Sequence, residues 1–155
     1  MSEAVHATAV VIGERGVLLR GPSGAGKSGL ALALIERVTR DGGFAALVAD
    51  DRVWLDAING RLVARGDPRL AGLCESRGEG LIEVAHEPRA VLRLLVDLGK
   101  PPRMPGAADR YDMICEISLP RLRLDLSPGL ESAAALMLAA LRRVYGNTWC
   151  VERDT

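Results

Sequence analysis

Eight consecutive residues match G-x-x-x-x-G-K-S, a pattern that is typical of loops that bind phosphate. Glycines in such a loop allow positive φ angles and a close approach of backbone N–H groups to an anion. The lysine ammonium would contact the β- and γ-phosphates of a nucleotide, and the serine hydroxyl would reach a magnesium ion. The sequence therefore predicts a phosphate-binding loop, the P-loop, and leaves the identity of the base open. Its members are Gly21, Pro22, Ser23, Gly24, Ala25, Gly26, Lys27 and Ser28.

Two adjacent carboxylates, Asp50 and Asp51, follow the apolar run of residues 44–49. An acid at the end of a buried strand that comes after a P-loop helix is the Walker B arrangement, in which the acid lies near magnesium. Two neighbouring acids allow a division of labour, because one can help to hold metal-bound water while the other accepts the proton of an attacking hydroxyl. A solvated turn or a helix-capping pair is the alternative for these two residues.

The first half of the chain predicts the elements that would position these groups. Ala7–Ile12 and residues 17–20 predict a hairpin whose second strand runs into the P-loop. A helical period begins at Ser28 and ends at residues 41–43, and residues 44–49 predict a strand that is buried on both faces. Further along, Asn59-Gly60 predicts the turn of a second hairpin.

The second half predicts a mixture of loops, a strand and a last helix. Residues 70–80 and 100–108 are expected to be loops, whereas residues 90–98 fit a helix or a buried strand equally well. Residues 121–126 alternate in polarity and predict a strand. Ser127 is expected to cap the last helix, with Pro128 as its first residue. We interpret residues 1–155 as one α/β domain.

Charge and composition exclude several classes of protein. Twenty basic and twenty acidic residues give a net charge of zero, so a broad electrostatic surface for nucleic acid or an anionic membrane is not expected. An apolar content of 48% suffices for a buried core and excludes a disordered chain. Three separated cysteines (Cys74, Cys115 and Cys150) and the lack of a long apolar run predict a cytoplasmic protein with unpaired thiols.

Three blocks of the sequence together resemble the HPr kinase/phosphorylase family. They are the P-loop with the Leu-Ala-Leu-Ile-Glu-Arg that follows it, Leu-Val-Ala-Asp-Asp-Arg-Val at residues 47–53, and residues 75–84, which are similar to the family's E-x-R-G-x-G-I-I-x-V signature. The resemblance implies an α/β fold, a P-loop kinase domain related to the phosphoenolpyruvate carboxykinase-like fold, with a central mixed sheet and flanking helices. It further implies a short form that consists of the C-terminal catalytic domain only.

The same resemblance implies an activity. Members of the family use ATP and Mg²⁺ to phosphorylate a serine of HPr, the phosphocarrier protein of the bacterial sugar phosphotransferase system, and they assemble as hexamers. We therefore expect a cytoplasmic, homo-oligomeric protein-serine kinase whose partner is HPr. A small-molecule P-loop kinase and a non-catalytic ATP-sensing module stay open as alternatives.

The resemblance also assigns roles to single residues. Lys27 and Ser28 match the P-loop lysine and the magnesium-binding serine. Asp51 matches the acid that accepts the proton of the substrate serine, and Asp50 is expected beside it, near the metal. Glu75 matches a second magnesium ligand.

Three further matches are His6, ahead of the first strand, Arg77, in the signature block, and Arg110, which follows Asp109. In the family such a histidine supports the active site, and the arginines would neutralise charge on the transferred phosphoryl group. Judged without the family, each has a plainer alternative: a solvated side chain for His6, an ion pair with Glu75 for Arg77, and a surface position for Arg110.

Two departures from the family pattern bear on activity. Gly29 stands where the family usually has a glutamate after G-K-S. Residues 121–129 lack the P-V-R-P-G-R-N-like segment that is linked with dephosphorylation of HPr, so the resemblance implies kinase activity more strongly than the reverse reaction.

Overall fold

Strands of mixed direction and two α-helices make up residues 2–146, which are the part of the chain that the computed structural model describes. In these residues the helices are α1 (Lys27–Arg40) and α2 (Leu130–Tyr145). The strands are β1 (Ser2–Val5), β2 (Ala7–Ile12), β3 (Arg15–Arg20), β4 (Ala45–Ala49), β5 (Val53–Ile58), β6 (Arg61–Arg65), β7 (Leu73–Ser76), β8 (Gly80–Glu83), β9 (Arg89–Leu98), β10 (Tyr111–Ile114) and β11 (Ile117–Leu124).

The central sheet has the strand order β1-β5-β6-β9-β3-β2-β4. β9 runs parallel to β3 and to β11, whereas the other neighbouring strands pair antiparallel. β10 extends the sheet beside β11, and β7 and β8 form a separate two-stranded sheet. The expected α/β fold with a central mixed sheet and flanking helices is confirmed.

Apolar side chains fill both faces of this sheet. On one face, strand residues such as Leu19 pack against Leu34 of α1 and Met137 of α2. On the other face, residues such as Leu18 pack against Leu55 of β5 and its neighbours. The two helices thus cover one face of the sheet, and strands β5 and β6 of the same sheet cover the other. The carboxyl ends of β3 and β4 therefore have a rigid support.

The first predicted helix is confirmed. Leu30, Ala31, Leu34 and Val38 of α1 are buried at the spacing of one helical face. The chain leaves the helix through Gly42, which has φ +86°. α1 begins directly after the P-loop, so its N-terminus faces the space that the loop encloses.

Both predicted hairpins are also confirmed. β2 and β3 pair from Ala7↔Arg20 to Ile12↔Arg15, and β5 and β6 pair around Asn59 and Gly60. Those two turn residues have φ values of +51° and +75°, as a two-residue type I′ turn requires. Residues 90–98, which fitted either a helix or a strand, belong to β9, because this segment pairs with β3 along one edge and with β6 and β11 along the other.

Two predictions about the second half of the chain are wrong. Residues 70–80 are not only a loop, because they contain β7. Ser127 does not cap the last helix, which begins at Leu130 after Gly129, and the Ser127 hydroxyl instead donates to Asp125 Oδ1 at 2.6 Å. The Gly129 N–H donates to the Leu126 carbonyl, so the local Ser-Pro signal serves a turn and not a helix start. β1 and β10 were not predicted.

Two further expectations concern thiols and membranes. Within residues 2–146, Cys74 is buried, Cys115 is half-buried, and both are free thiols, whereas Cys150 lies outside the described residues. Neither helix in this part of the chain combines the length and the hydropathy that a bilayer crossing needs.

Candidate active site

The P-loop connects the end of β3 to the start of α1, and its backbone depends on glycine. Gly24 and Gly26 have φ values of +79° and +100°. A Cβ atom at Gly26 would lie 2.7 Å from the Leu126 Cδ1 atom, whereas one at Gly24 would meet open space. Position 26 therefore requires glycine for two reasons, its left-handed backbone and its contact with the segment before α2.

Lys27 is buried at the first position of α1, with only 6% of its surface exposed. Its Nζ atom donates to the carbonyl oxygens of Gly21 at 2.8 Å and Pro22 at 3.0 Å. Within the described residues, no carboxylate lies within salt-bridge distance of this ammonium group. Its positive charge is thus held inside the loop without a counter-ion, as a phosphate-binding lysine requires.

Asp50, at the end of β4, gathers hydrogen bonds from three elements. Its Oδ1 atom accepts from Ser28 Oγ at 2.8 Å and from Thr8 Oγ1 at 2.9 Å, while Oδ2 accepts from the Glu75 backbone N–H at 3.3 Å. Cys74 lies beneath this carboxylate, and its burial, with a contribution from nearby Asp50, raises the pKa of its thiol to about 12. The thiol therefore stays protonated and adds no negative charge next to Asp50.

Asp51 lies in the tight turn that ends β4. The Arg52 N–H donates to the Asp50 carbonyl at 2.8 Å, and Asp51 between them has φ +67°, which describes a strained three-residue turn. The turn sends the two neighbouring carboxylates to different partners. Asp50 contacts Ser28 and Thr8, whereas the Asp51 carboxylate, 80% exposed, contacts His6.

His6 connects Asp51 to the P-loop. Its Nδ1 atom lies 3.1 Å from Asp51 Oδ1, and its Nε2 atom lies 3.5 Å from Lys27 Nζ and 3.3 Å from Ser23 Oγ. β1 and β2 flank this histidine, and the pairing of Ala7 with Arg20 places it beside the end of β3. Four residues that the sequence analysis singled out, His6, Lys27, Asp50 and Asp51, are thus brought together with Ser28.

The β7–β8 hairpin carries Glu75 and Arg77. The backbone of Glu75 contacts Asp50, but its side chain is exposed. Arg77, in the turn after β7, is exposed and has no hydrogen bond or ion pair with any described residue. The hairpin therefore lies at the edge of the site and leaves both charged side chains free to contact a ligand.

Arg110 immediately precedes β10. It follows a short 3₁₀ turn, and its carbonyl accepts from the Arg121 N–H at 2.7 Å. Its side chain lines a cavity of about 430 Å³ together with Arg121, Arg123 and Arg143, and no P-loop residue contributes to that cavity. Among residues 2–146, no hydrogen bond or ion pair joins Arg110 to a P-loop residue.

A second cavity, of about 200 Å³, lies on the other side of Asp50. Its walls include Trp54, over whose ring the guanidinium groups of Arg52 and Arg65 lie at 4.8 Å and 5.4 Å from the centroid. Asp50 is among the residues that line this cavity, so a ligand bound there would lie close to the candidate site.

A network of charges anchors the strand that leads into the P-loop. Arg20, the last residue of β3, donates to Asp97 at 2.7 Å and to Asp112 at 2.8 Å, and Arg121 also donates to Asp97. Burial acts to raise the pKa of Asp97, but the hydrogen bonds from the two arginines outweigh it and hold that pKa below its ordinary value. The network therefore ties β3, β9, β10 and β11 together directly behind the loop.

The sequence analysis did not predict that Thr8 and Cys74 lie next to Asp50, and it did not predict the charge network behind the P-loop. Thr8 carried a weak signal, because it is the one polar residue of β2, whose other residues are apolar. The partners of Arg20 carried none, since Asp97 and Asp112 are distant in sequence and meet it only through the strand register.

The oxygen atoms around Asp50 match the ligands that magnesium prefers. Among the described residues, no group of three His, Cys, Asp or Glu side chains is close enough to hold a metal by itself. Magnesium in nucleotide enzymes is commonly held by only one or two carboxylates together with substrate phosphates, and the rest of its shell is water. A carboxylate and a serine hydroxyl 2.8 Å apart at the mouth of the P-loop fit that pattern.

Comparisons with known proteins identify the family that the chain resembles. The family model for the HPr Serine kinase C-terminal domain matches residues 1–151. The chain is 31% identical to HPr kinase/phosphorylase of Clostridium perfringens SM101, 32% to that of Treponema pallidum Nichols and 34% to that of Halalkalibacterium halodurans. These matches cover 91%, 89% and 89% of this chain and 48%, 46% and 47% of the relatives. The chain therefore spans about half the length of the curated relatives that it matches.

A solved structure is similar over nearly the whole chain. The Hpr(Ser) kinase/phosphatase from Coxiella burnetii superposes with a TM-score of 0.76 at 28% identity. The match covers 93% of this chain and 99% of that one.

Proposed function

The chain belongs to the HPr serine kinase C-terminal domain family, and we propose that it transfers the γ-phosphoryl group of ATP to a serine of the phosphocarrier protein HPr. The observation that carries this proposal is the arrangement around His6, which lies between the carboxylate of Asp51 and the ammonium group of Lys27. A proton acceptor is thereby held next to a phosphate-binding lysine, as direct transfer to a hydroxyl requires. We treat residues 1–155 as one catalytic domain.

The P-loop would bind the β- and γ-phosphates of ATP. Lys27 Nζ, which donates to two loop carbonyls, can exchange these partners for phosphate oxygens without leaving the loop. The backbone N–H groups of the loop and the N-terminus of α1 would add partial positive charge around the anion.

Ser28, Asp50 and Glu75 would hold a magnesium ion in the proposed complex. When bound, magnesium neutralises part of the charge on the β- and γ-phosphate oxygens. Ser28 and Asp50 support this role through their 2.8 Å contact, and Glu75 supports it through the position of its backbone beside Asp50.

Asp51 would accept the proton of the substrate serine. As the serine oxygen attacks the γ-phosphorus, the hydroxyl proton passes to an Asp51 carboxylate oxygen, the bond from the γ-phosphorus to the bridging oxygen breaks, and ADP leaves. His6 would hold Asp51 in position, while Lys27 and an arginine, Arg77 or Arg110, would neutralise charge on the phosphoryl group. Positioning and electrostatics would supply most of the rate.

We also propose that the chain works as a homo-oligomer in the cytoplasm, a hexamer if the family resemblance holds for assembly as well. Two large side chains of β10 support self-association, since Tyr111 and Met113 are 59% and 65% exposed. Arg110 lies next to them and lines a cavity to which no P-loop residue contributes. An oligomer could supply it to the site of a neighbouring copy.

Purified protein incubated with labelled ATP, Mg²⁺ and HPr tests the proposal. We expect label on one serine of HPr and none on a control HPr in which that serine is replaced by alanine. Turnover of ATP with a metabolite and without a protein acceptor would favour a small-molecule kinase. Tight binding of MgATP without any transfer would favour an ATP-sensing module. Adding ADP or inorganic phosphate to phosphorylated HPr then tests the reverse reaction separately.

A further inference from the structure

Thr8 is a buried polar residue in a strand that otherwise consists of apolar residues. All six residues of β2 are buried, and the Thr8 side chain has no exposed surface. Among the residues that the structure describes, only Thr8 and Lys27 are both buried and polar or charged, and of the two only Thr8 has no exposed surface. Burying a hydroxyl costs free energy unless it is hydrogen-bonded, so its partner indicates what it contributes.

That partner is Asp50. Thr8 Oγ1 donates to Asp50 Oδ1 at 2.9 Å, and the same oxygen accepts from Ser28 Oγ at 2.8 Å. Two hydroxyl groups from different elements thus converge on one carboxylate oxygen.

The donors to Asp50 differ in how firmly they are held. Ser28 lies in the first turn of α1, at the end of the P-loop, and the Glu75 N–H belongs to an exposed hairpin. Thr8 belongs to β2, which pairs with β3 on one side and β4 on the other. Its hydroxyl is therefore the donor that is anchored by strand pairing on both sides.

We infer that Thr8 is a positioning residue that fixes the plane of the Asp50 carboxylate, so that Asp50 and Ser28 present their oxygens correctly to a magnesium–nucleotide complex. The inference rests on the proposed function in one respect only: it assumes that Asp50 lies beside the bound magnesium ion. Preorganised groups avoid the cost of ordering them on binding, and this is the advantage that Thr8 would give.

The test measures binding of ADP with and without Mg²⁺ by titration calorimetry. Thr8→Val removes the hydroxyl at nearly constant volume. We expect it to leave the affinity for metal-free ADP unchanged and to reduce the gain in affinity that Mg²⁺ gives by about tenfold, which corresponds to about 1.4 kcal/mol. Thr8→Ser keeps the hydroxyl and is expected to retain the gain.

Two controls separate positioning from a merely structural role. Thr39→Val makes the same chemical change at an exposed position near the end of α1 and is expected to change neither affinity. In an Asp50→Asn background, Thr8→Val is expected to add no further loss, because its effect acts through Asp50. If Thr8→Val does not fold, Thr8→Cys, a weaker donor of similar size, takes its place in the same titration.

Several outcomes would overturn the inference. They are an unchanged Mg²⁺ gain in Thr8→Val, an equal loss with and without Mg²⁺, or a loss in Thr8→Ser as large as that in Thr8→Val. Because the titration contains no HPr, a positive result together with absent transfer to HPr would refute the proposed function and leave the inference standing. Transfer to HPr together with an unchanged Mg²⁺ gain in Thr8→Val would refute the inference alone.

Discussion

His6 Nδ1 lies 3.1 Å from Asp51 Oδ1, while the opposite nitrogen of the same ring lies 3.5 Å from Lys27 Nζ. An ammonium group can only donate, so Nε2 must accept, and in the neutral ring the hydrogen then sits on Nδ1. His6 therefore donates to Asp51 and holds its carboxylate in the strained turn after β4. One ring thus couples the proposed proton acceptor to the P-loop lysine.

This geometry predicts that asparagine and glutamine replace His6 unequally well when both are compared with alanine. His6→Ala is expected to lower kcat for transfer to HPr by about tenfold to hundredfold, because the Asp51 carboxylate loses its positioning donor. His6→Asn, whose amide nitrogen replaces Nδ1, is expected to recover part of this loss, and His6→Gln less. Steady-state kinetics checks the order, and better recovery by glutamine than by asparagine would contradict the assigned tautomer.

Asp51→Asn tests the proton acceptor itself. The amide keeps the size of the side chain but cannot take the serine proton, so kcat is expected to fall by about 10² to 10⁴-fold while ADP binding stays unchanged. Single-turnover assays and calorimetry measure the two quantities. Asp41→Asn, at an exposed carboxylate after α1, is the control and is expected to be fully active. Near-normal turnover of Asp51→Asn would rule out its role as the acceptor.

Gly26→Ala is expected to abolish nucleotide binding. The residue has φ +100°, and an added Cβ would lie 2.7 Å from Leu126 Cδ1, so the loop must change shape. Gly42→Ala is the matched control, since φ is +86° there and the added Cβ would meet open space. Both variants should lose about 1–2 kcal/mol of stability through backbone strain, but only Gly26→Ala should lose binding. Equal ADP affinities in the two variants would contradict the prediction.

The parts of the site that were predictable from sequence are those encoded by neighbouring residues. The P-loop glycines, Lys27 and the Asp50-Asp51 pair form short patterns whose chemistry follows from their spacing. The contact of Thr8 with Asp50 depends on the register between β2 and β4, and no local pattern contains that register. At Ser127 a local pattern predicted a helix cap that the structure does not contain. The residue lies instead in a turn that is closed by the hydrogen bond from the Gly129 N–H to the Leu126 carbonyl.

The charge network behind the P-loop predicts a dependence of stability on pH. Burial acts to raise the pKa of Asp97, but Arg20 and Arg121 hold it below its ordinary value, so the folded state binds this proton less readily than the unfolded state. Such a carboxyl stabilises the fold above the unfolded pKa of about 3.9, and its contribution is lost as the pH falls through the folded pKa. Asp97→Asn is therefore expected to lower the free energy of unfolding by about 2 kcal/mol at pH 7 and by much less near pH 2.

Urea unfolding of both proteins between pH 2 and pH 7 measures this difference. Asp41→Asn again serves as the control, because its carboxylate pairs with Arg37 at an exposed position and should change stability by less than about 0.5 kcal/mol. A loss in Asp97→Asn that is the same at both ends of the pH range would mean that the network contributes packing and no charge effect.

Arg110 gives the last prediction, which concerns the proposed oligomer. The residue lines a cavity to which no P-loop residue contributes, and we expect it to act on the site of a neighbouring copy. Arg110→Ala and Lys27→Ala should each be nearly inactive alone. After co-refolding, mixed oligomers should regain activity, because some sites then combine an intact P-loop with an intact arginine from the adjacent copy. Transfer of label to HPr measures the recovery, and light scattering checks that oligomers form. Activity no greater than the sum of the two separate variants, in oligomers shown to be mixed, would mean that Arg110 does not act on the site of a neighbouring copy.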